Sequence, residues 1–453
     1  MRTAGEIRIR KLPKDSKYSS RGLVQIDINV SDDALEIRKT WDESTRTMTI
    51  STPRKTRFST TPNDDVCISL EITVWLPEHT SLSDLSIGST TLTLRVFDDI
   101  KINVTGESKF VSVSGDIFFP KIGKVGKAPP KDYPLDSRHI TVETVSGNIK
   151  GIYPLYDYLK LGTQSGDITA GVLPQPVLPS EPAPADLEVG TASGDIEVTL
   201  PAQVPRYSPP PRDYVTNVAS VSGDISGTYF LGSAGSFKST SGDMTAKILP
   251  VIQYSPSTDP DDAPKSEFST WSVSGEHDFD ILEPTFISLL PSNKATLPSQ
   301  PALPVPKVPD LPDVPDIPSQ PDQDRSPELP YIPIGDDDPY RHFIPPELNE
   351  DVILEETRIL ATKKWRTLKA SHQSSSADIS IHYPVAWEGT VSGKAVSGNI
   401  KVDGKDLKII TYKKGWAYKE LVAGKGVSRK GEGSSVDMST ISGDLKFVVG
   451  EVE

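Results

Sequence analysis

The residues best placed to do chemistry are five aspartates, Asp116, Asp167, Asp195, Asp224 and Asp243, because each closes the same triplet. The triplets are Ser114-Gly115-Asp116, Ser165-Gly166-Asp167, Ser193-Gly194-Asp195, Ser222-Gly223-Asp224 and Ser241-Gly242-Asp243. Ser146-Gly147-Asn148 and Ser397-Gly398-Asn399 carry the amide instead, and Ser442-Gly443-Asp444 is a further copy. A column of carboxylates suits a hard cation such as Ca2+. Two carboxylates in one cleft would suit glycoside cleavage. The spacing favours neither. The calcium β-roll repeats Gly-Gly-x-Gly-x-Asp about every nine residues, whereas the glycine-to-glycine steps from Gly115 to Gly242 are 32, 19, 28, 29 and 19. Glycoside cleavage needs two differently tuned carboxylates, and a regular ladder offers many equivalent ones. The residue types favour a structural corner. Gly supplies φ > 0 without steric cost, Asp or Asn accepts nearby backbone N–H groups, and Ser bonds locally in the same way. Stacked corners would place the carboxylates in a self-repelling column, relieved by Asn148, ordered water or cations.

Other catalytic groupings are absent from the pattern. His79, His139, His277, His342, His372 and His382 are scattered, without His-x-x-x-His or His-Glu-x-x-His spacing, and are expected on surfaces or loops. There is no Gly-x-Ser-x-Gly elbow and no Gly-rich phosphate loop. Cys67 is the only cysteine, so no intramolecular disulfide and no Cys-based metal site can form, and it is expected in the core. The expectation is a protein with no catalytic, cofactor-binding or metal residues.

The elements that must position the corners are strands. Val111, Val113 and Ile117 flank the first corner, and Ile, Met or Leu follows every copy. The loops Lys121–Arg138, Leu173–Ala185 and Pro201–Arg212 are Pro-rich and polar and are expected on the surface. Without them each unit is strand, Ser-Gly-Asp corner, strand. Trp271–Glu276 is a degenerate copy, and Ser376-Ala377 is a degenerate Ser-Gly. Upstream, Val24, Ile26, Ile28 and Val30 alternate with polar residues as a half-buried strand does, and Val66–Leu76 is a long strand ending at Pro77. The organisation expected is a polar tail or lead-in strand over 1–20, a β cap over 21–80 and Ser-Gly-Asp repeats over 81–290. A disordered linker over 291–350 follows, and a β region over 351–453 completes or caps the array.

In Pro306–Pro321 proline recurs at every third position, the period of polyproline II. This reads as a stiff linker, or as a ligand for an aromatic groove, although its flanks are acidic. A net charge of −14 argues against a nucleic-acid binder. The first twenty residues lack the apolar stretch of a signal peptide, and no run of about 18 apolar residues marks a membrane span. Asn29-Val-Ser31 and Asn103-Val-Thr105 are glycosylation sequons. Lys363-Lys364-Trp365-Arg366 is a short basic cluster read as a solvated face.

Tandem β-Val-Ser-Gly-Asp-Ile-β units after a strand ending Val74-Trp75-Leu76-Pro77 resemble an adhesin family of β-solenoid domains with bacterial and fungal members. The resemblance covers 65–290 and, more loosely, 375–450. It implies an all-β, single-chain β-solenoid (β-helix) that is not an enzyme. It also implies an extended surface, at the cell surface or outside the cell, that contacts glycans or other surface proteins. The alternatives are a polysaccharide-active β-helix enzyme and a cytoplasmic scaffold that uses its proline segment.

Overall fold

A computed structural model describes residues 2–17, 22–31, 38–42, 44, 47–51, 67–120, 134–200, 209–254, 265–288, 368–415, 418–426 and 433–450. The chain divides into two units, 1–289 with 364–453, and 290–363. The second unit lies outside the described residues. With it lie the proline segment, the proposed aromatic-groove ligand and His342; the Lys363–Arg366 cluster is likewise outside them.

The described residues are all-β, with no helix among them. Two long sheets carry the first unit. The first sheet begins β2 (Leu23–Val30), β5 (Cys67–Leu76), β1 (Arg2–Lys11), β8 (Thr93–Val96), β10 (Ile117–Phe118), β12 (Ile149–Leu155) and β14 (Ile168–Pro174). It continues β16 (Ile196–Thr199), β18 (Ile225–Leu231), β20 (Met244–Tyr254), β22 (His277–Ile281), β25 (Ile379–Tyr383), β31 (Leu445–Val449) and β27 (Ile400–Gly404). β23 (Thr285–Ser288) pairs with β20 beside this path. The second sheet runs β28 (Lys408–Lys414), β29 (Lys419–Lys425), β26 (Gly389–Ser397), β30 (Ser434–Ser442), β24 (Leu368–Ser374), β21 (Ser266–Ser272) and β19 (Ala234–Lys238). It ends β17 (Tyr214–Ser220), β15 (Ala185–Thr191), β13 (Tyr158–Gly162), β11 (Leu135–Thr144), β9 (Ile102–Ser112) and β6 (Thr80–Leu82), with β7 (Leu85–Ser89) also on β9. β3 (Arg38–Asp42) and β4 (Thr47–Ser51) form a separate hairpin. Neither sheet closes on itself.

From β8 to β22 successive strands alternate between the two sheets, and their pairing is parallel. Each level of the stack therefore has one strand in each sheet and one corner between them. Side chains alternate at period two. In β15, Ala185, Leu187, Val189 and Thr191 point in, and Asp186 and Glu188 point out. Inward residues from both sheets join one continuous core, from Ile7 and Ile9 to Phe447 and Val449.

Several expectations change here. Arg2–Lys11 is no tail. It is a strand between β5 and β8, because Ile7 and Ile9 supply the alternation that buries one face. Cys67 is exposed rather than buried, since alternation in β5 turns its neighbour Ile68 inward instead. Arg212, expected on a surface loop, is buried: its guanidinium bonds Asp157 Oδ1 at 2.9 Å and the carbonyls of Gln175, Ala183 and Pro184. Arg138 pairs with the same Asp157, so a buried ion cluster ties down the 175–184 loop. A second order also departs from the chain. β30 and β31 lie between β24–β25 and β26–β27, so the strands latest in sequence are not outermost in space.

Candidate functional site

Two columns of side chains hold the corners. The first is the expected acidic column, but its bonds run between levels rather than within one. Asp116 Oδ1 accepts the Asn148 N–H at 2.7 Å, and Asn148 Oδ1 accepts Asp167 N–H at 2.9 Å. Asp167, Asp195 and Asp224 repeat the bond to Asp195, Asp224 and Asp243 at 2.9–3.1 Å. Asp243 takes Glu276 N–H at 2.9 Å, Asp378 takes Asp444 and Asp444 takes Asn399, both at 2.7 Å. Each carboxylate thus holds the backbone of the next level. Ser193, Ser222, Ser241 and Ser376 also reach across, donating to carbonyls of the level before.

The second column escaped the sequence reading. A hydroxyl stands three residues before each corner glycine from Gly115 to Gly242: Ser112, Thr144, Thr163, Thr191, Ser220 and Ser239. All six are buried, and each Oγ accepts its own corner glycine N–H at 2.8–3.1 Å. This satisfies a buried donor that would otherwise cost about 1–3 kcal/mol. The signal was present in the sequence one residue outside the Val-Ser-Gly-Asp window.

The role expected of the glycines is corrected at six of the eight corners. Gly115, Gly147, Gly166, Gly194, Gly223 and Gly242 do not adopt positive φ, whereas Gly398 (φ 152°) and Gly443 (φ 159°) do as expected; positive φ also falls three residues after a triplet, as at Gly227 with φ 126°. Space demands glycine instead. A Cβ on Gly147, Gly166, Gly194, Gly223 or Gly242 would stand 1.7–2.2 Å from the carbonyl oxygen of the preceding corner glycine. Gly398 and Gly443 meet the same obstacle, at 1.9 Å from Gly443 O and 2.2 Å from Ala377 O.

The titratable centre of the first unit lies elsewhere. His277 and His372 are fully buried, contrary to the surface placement expected of the histidines. His277 occupies the inward position held by Ile117, Ile149, Ile168, Ile196, Ile225, Met244 and Ile379 at other levels. His372 and Thr270 sit in the row of Val142, Leu161, Val189, Val218, Phe237 and Met438. Polar side chains thus replace apolar ones at two adjacent levels, on either side of the 290–363 segment in sequence.

Their hydrogen bonds form one chain. Thr270 Oγ1 is 2.9 Å from His372 Nδ1 and 3.0 Å from His277 Nδ1. His277 Nε2 is 2.7 Å from Ser272 Oγ, which donates to Gly275 O at 3.0 Å and lies 3.1 Å from Ser374 Oγ. His372 Nε2 is buried without a partner. Proton counting then assigns the tautomers. Ser272 gives its proton to the carbonyl, so it accepts from His277 Nε2–H. His277 Nδ1 is then an acceptor for Thr270 O–H, and Thr270 accepts from His372 Nδ1–H. The reverse order would leave a buried N–H at His372 Nε2 without an acceptor. Both rings are therefore neutral. Burial among Phe268 and Phe279 pushes His277 down to about 4 and His372 to about 3, with His277 adding to the latter.

Outside the corners, Val113, Val145, Val221, Val273, Val396 and Ile441 form a recurrent exposed apolar position, 37–59% accessible, each directly before a corner serine. Asn29 and Asn103 of the sequons are exposed on β2 and β9. Among the described residues no group of three or more His, Cys, Asp or Glu is placed to hold a metal ion, and no helix is long and apolar enough to cross a membrane. No family model, no curated protein and no solved structure matches the chain.

Proposed function

We propose that the chain is a non-enzymatic, adhesin-like β-solenoid whose stacked corners present an extended surface to glycans or proteins at a cell surface. The observation that carries this reading is the corner edge. Exposed valine or isoleucine precedes six of the corner serines there, with Gln164, Ala192, Thr240 and Ser375 at the other levels, and the aspartates are engaged in holding the stack. A surface with one repeat per level suits a polymer with its own repeat, because weak contacts add through effective concentration. The acidic column is thereby structural in this reading, and the two buried histidines have no opening to a substrate.

The test is retention of the full chain on an array of immobilised polysaccharides and matrix proteins, with Val145→Lys/Val221→Lys beside it. Retention on one polymer, lost roughly tenfold in the double variant at unchanged thermal midpoint, supports the reading. Release of new reducing ends from any glycan on the array would replace it with the polysaccharide-active alternative. Fractionation of the endogenous protein gives the location, and cytosolic recovery would remove the surface role.

A further inference from the structure

The end of the second sheet carries the most unusual surface of the described residues. β28 is its terminal strand, paired only with β29 among them. One row of its backbone N–H and C=O groups therefore faces away from the sheet. Three of its side chains are large, apolar and uncovered: Ile409 is 60% exposed, Ile410 50% and Tyr412 52%, with Tyr418 alongside at 49%. Large exposed apolar groups clustered on one strand mark an interaction surface.

Charge selects the occupant. The chain is acidic overall at −14, yet residues 389–425 hold eight lysines against three acidic residues. Lys408, Lys413 and Lys414 lie on β28 itself, and Lys405 lies in the turn before it. Lys413 has Glu420 at 3.8 Å, whereas Lys405, Lys408 and Lys414 make no ion pair among the described residues. A second copy of the chain is a poor occupant. Antiparallel self-pairing about Thr411 would set Lys408 opposite Lys414, and like charges directly opposite are destabilising. Open backbone groups favour a peptide over a lipid or phosphate surface, which would answer the lysines and leave the strand edge unpaired.

We infer that β28 is a docking edge for an acidic, extended peptide segment of a partner protein, which adds to the sheet as one more strand. Backbone hydrogen bonds supply the pairing, Ile409, Ile410 and Tyr412 supply apolar contact, and the lysines select acidic side chains. The register shift between Ile409 and Thr411 limits the docked strand to short runs on either side of Ile410.

The experiment uses the full chain and a labelled seven-residue peptide of alternating glutamate and valine, followed by fluorescence anisotropy. Micromolar binding that weakens with salt is expected. It should fall about tenfold in Lys408→Glu/Lys413→Glu/Lys414→Glu, whose exposed sites leave the thermal midpoint unchanged. A peptide with a central proline, which removes an N–H, should bind weakly. Equal binding of the proline peptide would overturn strand addition and leave charge alone. Absence of peptide binding, with capture by phosphatidylserine vesicles or self-association in sedimentation velocity, would overturn the choice of partner.

Discussion

The levels from β13 to β20 and the seam between β21–β22 and β24–β25 share one backbone pairing and differ in what fills it. In the regular levels each corner glycine lies against the carbonyl of the preceding corner, each aspartate holds the following N–H, and the core behind the buried hydroxyls is apolar. At the seam Glu276 stands for aspartate, Ala377 stands for glycine, and Thr270, His277 and His372 stand in the core. Parallel pairing nevertheless continues across it, from Ser266–Leu368 to Ser272–Ser374. Backbone register thus tolerates a changed interior, provided every buried polar group but one finds a partner. The corner rule is equally local: glycine is compulsory only where a carbonyl sits where its Cβ would be.

The largest effect should come from the corners. Gly223→Ala pushes a Cβ into Gly194 O, which it would approach to 1.7 Å, and should cost at least about 3 kcal/mol in a denaturant titration. Ala377→Gly at the seam should change stability by less than about 1 kcal/mol. Equal losses at both positions would break the comparison.

Acid separates the regions next. His277 and His372 are neutral in the fold, with pKa values pushed to about 4 and about 3. The unfolded chain takes up those protons near pH 6.5. Stability is therefore fully present above about pH 6.5 and declines as pH falls towards 4 and then 3, by on the order of 3 kcal/mol per histidine at pH 4. Thermal midpoints measured from pH 7 to 4 should fall less steeply in His277→Met/His372→Met, which restores residue types the other levels use. An unchanged slope would mean that the acid sensitivity lies outside the seam.

The acidic column gives the smallest contrast. Asp224→Asn keeps the Oδ1 acceptor, as Asn148 does, and should be nearly neutral, whereas Asp224→Ala should cost about 1 kcal/mol. Glu276→Ala at the seam should cost less than Asp224→Ala. A comparable loss there in urea titrations would show that the glutamate also holds its neighbour.

Much of this was legible in the sequence because it is local. The corners announce themselves as Ser-Gly-Asp, the flanking strands as alternation, and the all-β class follows from both. The glycine requirement was visible but its reason was not, since the obstructing carbonyl belongs to another level. The histidine pair was hidden for the same reason: His277 and His372 are 95 positions apart in sequence and meet only through Thr270. Cys67 was misjudged on residue type, when the alternation of Ile68 and Leu70 already turned it outward. Stacking order was not legible at all. The triplets at Ser397 and Ser442 differ only in Asn399 against Asp444, and only packing decides which lies against Ala377.

That order bears on how the molecule is made. β30 and β31 pair on one side with β24 and β25 and on the other with β26 and β27, although the latter are synthesised first. On a ribosome, β26–β29 emerge with their eventual neighbour still unmade. β26, β28 and β29 can pair among themselves, but the β30 side of β26 must stay open, or pair provisionally with β24 and then yield the place. Stack growth by simple addition in chain order, the habit of repeat proteins, therefore stops at β25. The final level forms as a single closing event that includes Ser434–Val449, so a chain stalled before that point leaves two strand edges open to the cell.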